Sequence, residues 1–462
     1  MKYAVFAVAF VLGVPLMAVA ASLYAKAREW LFTFLIASPM LGNAVKLNFV
    51  SMETYRGPDR GFEVTLADLV TLALFFSLVA RDRGRLRWLP TNSLWMLLFF
   101  LVSLASVRVA PVGVYAAFTL WKMVRMYLLF WVVANVVRAG IDLRAVWRGL
   151  LAIGLAMLYF VLKQKYVDHF YRIPGPFEHS NTVTLYLNAI IPAMLAWTLV
   201  DPGLSPRHRT AGIVAAFAMV FAVQATFSRA GLLLAGGGFL AVLAFINVRA
   251  RSSRVFMVTI GVLVVGVLGA IKATPAILER MRTAPPASEA ARDEFNHAAS
   301  LMTADHPLTG IGINNFSHVL TVTKRYNQHI LVMSSEKQAG VCHHIYRLTL
   351  AELGWPGLVV FLMVLLRFVW LAARASLWTR TLESVVLASL AIGYLCLHLQ
   401  GFLEWGFRIT PVTMQFSFVS GLVVGLRDRL LAGEGTPLGP QVADLDGEES
   451  DEPPPLPGEE AP

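Results

Sequence analysis

Three short stretches of this chain hold side chains that can do chemistry. Val341-Cys342-His343-His344-Ile345-Tyr346-Arg347 places two histidines side by side at the entrance to an apolar run. An imidazole with an ordinary pKa of about 6.5 can take a proton from a hydroxyl near neutral pH. Ala225-Thr226-Phe227-Ser228-Arg229-Ala230-Gly231 sets Arg229 between two strongly apolar runs. Tyr171-Arg172-Ile173-Pro174-Gly175-Pro176-Phe177-Glu178-His179-Ser180-Asn181 gathers Arg172, Glu178, His179 and Asn181 around a shaped turn. Further arginines, Arg280, Arg282 and Arg292, fall between the Arg229 stretch and the histidine stretch. Guanidinium groups grip phosphate oxygens through paired hydrogen bonds, so this set suits an anionic, diphosphate-bearing substrate. Each stretch also has a plainer account. Arg229 can be an anchor that snorkels to the membrane surface. Ser180 or Asn181 can simply cap a helix. Paired histidines often lie on a surface with no further role. Cys342 and Cys396 are far apart, and no Cys/His spacing resembles a zinc site, so neither a metal centre nor a disulfide is expected.

The elements that must position these groups are membrane helices. The chain has 462 residues, 57% hydrophobic and 15% charged, with a mean hydropathy of +0.63. A soluble core does not need so much apolar surface, because globular chains split into domains instead of enlarging one core. The composition excludes a soluble enzyme, a disordered protein and a nucleic-acid-binding module. The basic balance belongs to membrane loops and does not indicate nucleic acid as a partner. Reading for segments of about 20 apolar residues gives roughly thirteen candidate spans, and 12–14 is the expected range. They lie near 3–23, 31–50, 64–80, 93–108, 113–136, 146–162, 183–200, 211–227, 230–247, 255–272, 353–373, 383–402 and 410–426. Two are weak: 31–50 is interrupted by Pro39, Gly42 and Lys46, and 113–136 carries Lys122 and Arg125. Either fits a re-entrant or interfacial segment.

Arginine clusters at 81–87, 138–148, 207–209, 249–254, 374–380 and 427–429 fall on one side if the spans alternate, and that side is expected to be cytoplasmic. The three chemical stretches then face outward. Residues 272–351 form a long external loop, with a helix expected over 287–304 from its good helix formers. Residues 1–431 make the membrane domain. From Ala432 onward the chain has nine acidic residues, seven prolines and no Lys or Arg, and is expected to be a disordered cytoplasmic tail. Without that tail the body carries 39 basic against 20 acidic residues.

Taken in order, these segments resemble the O-antigen ligase and polymerase family of bacterial inner-membrane glycosyltransferases. The resemblance rests on Gly175-Pro176-Phe177 followed by Asn181, on Ser228-Arg229 between two spans, and on Asp305-His306-Pro307-Leu308-Thr309-Gly310-Ile311-Gly312-Ile313-Asn314-Asn315-Phe316. It closes on His343-His344-Ile345-Tyr346 and Ala351-Glu352-Leu353-Gly354-Trp355-Pro356-Gly357. It covers roughly residues 170–426. His344 stands where the family has Asn and Arg347 where it has an apolar residue, so either histidine fits the catalytic place, and counting back from Gly354 favours His343. The charged segment Tyr55–Glu63 has no counterpart in the pattern and fits a wall of the same cavity.

The resemblance implies an all-α polytopic membrane protein of the bacterial inner membrane with its active site facing the periplasm. It implies transfer of a glycan from a polyprenyl (undecaprenyl) diphosphate donor to an acceptor sugar hydroxyl, on lipid A-core for a ligase or on another lipid-linked repeat for a polymerase. Membrane lipids are the other expected partners. The reaction implied is an inverting, metal-independent transfer with no cofactor. His343 or His344 is the expected base. Arg229 and Arg292, then Arg172, Arg280 and Arg282, are expected to hold the diphosphate, with Asn181 and Glu352 also expected in substrate binding. A transporter is the competing class, but it calls for charges in the middle of several spans, and here Lys122 and Arg125 stand nearly alone.

Overall fold

The computed structural model describes residues 2–42, 45–250, 253–283, 286–328, 330 and 340–438. The protein is an all-α polytopic membrane protein. Eight of the described helices are long and apolar enough to cross a membrane: Tyr3–Leu23, Gly113–Arg138, Arg144–Val167, Ser180–Val200, Pro206–Ala225, Arg229–Arg249, Ile345–Ala375 and Leu382–Gln400. That is fewer than the expected 12–14. Three of the remaining runs do form apolar helices, Leu66–Arg81, Ser93–Ala105 and Ser253–Thr283. The run 410–426 lies in the 22-residue helix Thr410–Leu431, which polar residues at both ends make less apolar.

The run 31–50 is not a span. Its helix, Ala25–Ala37, ends in a single 3₁₀ turn, Ser38–Leu41, which contains Pro39. The strand Lys46–Phe49 then pairs antiparallel with Phe62–Thr65, Lys46 opposite Thr65 and Phe49 opposite Phe62. Proline removes a helix donor and Gly42 follows it, so the chain leaves the helix and turns into a hairpin. The other weak run is a single continuous 26-residue helix, Gly113–Arg138. Its two charges are neutralised by pairing: Lys122 with Asp59, and Arg125 with Asp68 at 2.6 Å. Both cations are buried. Asp68 also completes the capping box of Leu66–Arg81 with Thr65, so one carboxylate holds a helix start and a membrane arginine together.

The bundle core is built on close approaches. Gly421 and Gly425 of Thr410–Leu431 sit against Gly113–Arg138, where an added Cβ would come within 2.7 Å of the Phe130 carbonyl and Val133 Cβ, and within 2.6 Å of Val137 Cβ. This is the small-xxx-small spacing that lets two membrane helices touch along their backbones. At one end of this pair Asp428 receives Arg87 at 2.8 Å, Arg427 at 3.1 Å and Arg138 at 3.7 Å. Three of the arginine clusters, through Arg87, Arg138 and Arg427, therefore meet at one end of the bundle, and the Glu404 site lies at the other.

The expected external loop is partly helix. Ser253–Thr283 continues through Pro275 to Thr283, well past the expected end near 272. Pro286–Asp305 follows, matching the helix expected over 287–304. Residues 432–438 belong with the helical body: Thr436 donates to the buried Glu383 through N (2.8 Å) and Oγ1 (3.0 Å), and Leu382 N donates back to the Thr436 carbonyl at 2.9 Å. The rest of the expected tail, 439–462, lies outside the described residues.

Candidate active site

The site assembles around Glu404, a residue of the turn after Leu382–Gln400. Its Oε1 accepts from Asn181 Nδ2 at 2.6 Å and from Arg292 Nη2 at 2.9 Å. Its Oε2 faces His343 Nδ1 at 3.5 Å. Asn181 Oδ1 in turn accepts from Arg172 Nη2 at 2.8 Å, and Arg172 Nε donates to the Thr226 carbonyl at 2.9 Å. Four residues singled out in the sequence, Arg172, Asn181, Arg292 and His343, are thus brought together by one carboxylate that sequence reasoning missed. A signal was present. Gly401-Phe402-Leu403-Glu404-Trp405-Gly406-Phe407-Arg408 is a short turn between two spans, outward by the same alternation, and it carries an acid and an arginine.

Each partner is held by its own element. Pro286–Asp305 buries Phe295, Ala298, Ala299 and Met302. These recur at the spacing of one helical face, and Arg292 lies one turn before the stripe. The histidine segment is clamped at both ends: Cys342 Sγ donates to Asn296 Oδ1 at 3.0 Å, and Ile345 N donates to the Gly401 carbonyl at 3.0 Å. Those two contacts set His343 between the arginine helix and the Glu404 turn. A buried polar ladder fixes the rest. Asn188 Nδ2 donates to the Gly231 carbonyl at 3.0 Å and to Gln400 Oε1 at 3.2 Å, and Gln400 Nε2 donates to Thr184 Oγ1.

His344 is placed differently. It caps Ile345–Ala375, its Nδ1 accepting from Arg347 N at 3.3 Å. Its ring lies edge-on to Tyr346 and Phe402. Burial, and after it the Arg347 guanidinium, holds this imidazole below the usual histidine range. Arg229 begins its helix three residues past Thr226 and is exposed, with no ion pair or hydrogen bond to its side chain among the described residues. Arg280 and Arg282 lie on Ser253–Thr283, and their side chains fall outside the described residues.

Glu352 is not in this cluster. It is buried, and its Oε2 accepts from Arg408 Nη2 at 2.5 Å. The Arg408 carbonyl accepts from Lys122 Nζ at 2.6 Å, and Lys122 pairs with Asp59, giving an ionic chain from Glu352 to Asp59. The two glycine-bearing motifs meet beside it. Gly312 N donates to the Glu352 carbonyl at 3.0 Å, Ile311 N to that of Ala351 at 3.1 Å, and Trp355 N to that of Pro307 at 2.8 Å. Gly310 and Gly354 have φ of +62° and +65°, and a Cβ on either would strike the backbone of the facing segment. Glycine alone adopts this geometry without strain. Gly354 breaks Ile345–Ala375 into an entry segment and a membrane segment.

Two cavities flank the site. One, of about 450 Å³, is apolar and lies between Ser93–Ala105, Gly113–Arg138, Ile345–Ala375 and Thr410–Leu431, lined by Met96, Phe99, Met123, Phe361 and Phe416 among others. Leu89, Leu97 and Val124 also line it and are exposed on the outside of the bundle. The second, of about 340 Å³, is polar and is bounded by the 46–63 hairpin, residues 177–182 and residues 405–411. Residues 57–61 and Glu63 of the charged segment line this second cavity, whose lining includes none of Arg172, Asn181, Arg292 or His343. Lys122 and Arg408 line both cavities.

Among the described residues no cluster of three or more His, Cys, Asp or Glu is arranged to hold a metal ion, and both cysteines are free thiols. No curated protein matches the chain in sequence. A family model described as O-antigen ligase matches residues 214–362. That stretch contains Arg229, Arg292, His343 and Glu352, together with both glycine motifs, and leaves out Arg172, Asn181 and Glu404. Over residues 214–362 this multi-pass membrane protein is similar to the O-antigen ligase family, as its motifs implied.

Proposed function

We propose that the protein transfers a glycan from a polyprenyl diphosphate donor to a sugar hydroxyl at the outer, periplasmic face of the bacterial inner membrane, in the manner of an O-antigen ligase. The observation that carries this reading is the Glu404 cluster, with His343 and Arg292 on one carboxylate and Arg172 linked to it through Asn181. His343 Nε2 takes the acceptor hydroxyl proton. The acceptor oxygen attacks the anomeric carbon, and the bond to the diphosphate oxygen breaks with its electron pair leaving on the diphosphate. A single displacement of this kind inverts the anomeric centre. Glu404, facing Nδ1, favours the imidazolium that forms. The 3.5 Å separation fits an active site without substrate, where catalytic contacts are often long. Arg292 and Arg229 meet the diphosphate, and positive groups fixed in place before charge develops are a large catalytic contribution. The apolar cavity, which reaches the outside of the bundle between helices, suits the prenyl chain. Polymerisation of lipid-linked repeats uses the same chemistry with another acceptor. The paired state of Lys122 and Arg125 weighs against a transport path through the bundle.

The test compares variants in nanodiscs, with transfer measured from a lipid-linked glycan and binding measured with undecaprenyl diphosphate. His343→Ala should lower transfer by about 10²–10⁴-fold and leave undecaprenyl diphosphate binding nearly intact. His344→Ala should keep transfer within a few-fold, because it loses only a helix cap. Arg229→Lys should weaken both binding and rate, since a point charge cannot fork to two oxygens. Full transfer by His343→Ala would sink the assignment.

A further inference from the structure

We infer that the polar cavity beside Trp121 and Trp405 is a binding site for an uncharged sugar unit. This rests on the glycan-transfer reading and adds to it where the carbohydrate sits. All the residues that line the cavity lie outside the 214–362 match, in the 46–63 hairpin, the Gly113–Arg138 helix and the two turns at 177–182 and 405–411.

The charge balance argues for a neutral ligand. Five cations line the cavity, and four of them already face carboxylates. Lys122 pairs with Asp59, Arg125 with Asp68 at 2.6 Å, Arg408 with Glu352 at 2.5 Å, and Lys46 with Glu178 at 3.5 Å. Lys122 and Arg408 are buried with their partners, and Arg125 is buried against a half-buried Asp68. A diphosphate settling here would have to draw these cations from carboxylates, most of them buried, whereas Arg292, though paired with Glu404, keeps 39% of its side-chain surface exposed. Removing one partner from a buried pair is strongly unfavourable. A polyhydroxyl ligand needs no such exchange. It needs hydrogen-bond donors and acceptors on a rigid rim, and Asn48, Ser51, Glu53, Glu63 and Thr410 supply both.

Two indoles supply the apolar complement. A sugar ring presents C–H faces that pack on an aromatic face, while the polar rim takes the hydroxyls. Trp121 is held for this: its Nε1 donates to the Glu63 carbonyl at 2.8 Å, and it keeps 37% of its surface exposed. Trp405 directly follows Glu404, and Thr182 directly follows Asn181. The cavity therefore begins where the Glu404 cluster ends. A volume of about 340 Å³ falls at the small end of ligand pockets, room for a short saccharide and not for a long chain.

The sugar can be the acceptor end or a unit of the donor glycan, and the chemistry is the same. Full-length protein in nanodiscs is titrated with three probes: undecaprenyl diphosphate bearing no sugar, the oligosaccharide released by mild acid from the host's lipid-linked glycan, and the host's deacylated core oligosaccharide. Trp121→Ala should weaken one of the two oligosaccharides by about tenfold, while the bare carrier stays within twofold. Trp121→Phe, which keeps a ring, should recover most of the loss. Loss on the released glycan marks a donor subsite, and loss on the core oligosaccharide marks an acceptor subsite. The inference is overturned if neither oligosaccharide binds the wild-type protein. It is also overturned if Asn48→Ala and Trp121→Ala leave both affinities unchanged, or if the bare carrier is the ligand that weakens. Because these are binding measurements, their failure is separate from that of the His343 assignment, which transfer alone reads.

Discussion

His343 and His344 are adjacent, and the backbone sends them to different work. One faces Glu404; the other spends its Nδ1 on a helix N-terminus. Spacing within the motif favoured His343 but could not exclude its neighbour, because nothing local to the motif says where residue 404 lies. Glu404 itself lay in plain sight as an acid between two spans and drew no attention, since its meaning comes from partners 61, 112 and 223 residues away. Cys342 shows how rigid this segment is. Its thiol is fully buried, donates to Asn296, and is pushed up to about 12 mainly by burial. Thiolate is the reactive form, and at any pH well below 12 this side chain is neutral. Maleimide at pH 7.5 should therefore leave Cys342 unmodified in folded protein and label it after denaturation, as read by mass spectrometry. Rapid labelling of the native protein would show that the histidine segment is not clamped as described.

At the scale of elements, the Gly113–Arg138 helix binds the architecture together. It packs on Thr410–Leu431 through Gly421 and Gly425, and it presents Lys122 and Arg125 to two acids on other elements. Gly421→Leu should drive these helices apart. Overpacking a tight contact costs about 1–3 kcal/mol, and with a backbone carbonyl at 2.7 Å the loss should fall at or above that range. The readout is thermal unfolding in detergent. Lys122→Ala should be worse for its size, because Asp59 is left buried without its cation. Breaking such a pair costs about 3–5 kcal/mol, and Asp59→Asn in the same chain should recover part of it. A Lys122→Ala protein as stable as wild type would mean that the ionic chain contributes nothing. The helix was legible as a run of apolar residues. Its two charges made it look re-entrant, because their partners lie outside the run.

At the scale of the whole molecule, Arg87, Arg138 and Arg427, from three of the arginine clusters, gather around Asp428 at one end of the bundle, and the Glu404 cluster lies at the other. That separation suits a protein whose basic end faces the cytoplasm and whose chemistry is outside. Cysteines introduced at position 325 should label from the outside of spheroplasts, and those at 207 should not; the reverse pattern would invert the topology. The C-terminus divides in the same spirit. Deleting 439–462 should leave stability and transfer unchanged. Deleting from 432 should lower stability by roughly 2–3 kcal/mol, because the Glu383 carboxylate loses two hydrogen bonds from Thr436 and bonds to charged groups are worth more than neutral ones. Equal stability of the two truncations would show that residues 432–438 only rest on the surface.

Apolar run length is a local property, so the sequence alone determined the membrane class, most of the helices, the helix expected over 287–304 and the family resemblance carried by ordered motifs. The ends of runs were harder, because Pro39 and Gly42 divert the chain into a hairpin that pairs with residues beyond the run. Which charged groups meet was decided only by the tertiary structure. Ion pairing depends on distance in space, and a residue's partner can sit anywhere along the chain. Glu352 shows this: its motif marked it for the site, yet the packed bundle gives it to Arg408. Arg172, Asn181, Arg292 and His343 were each visible as residues, and the fold made them one site by bringing Glu404 among them.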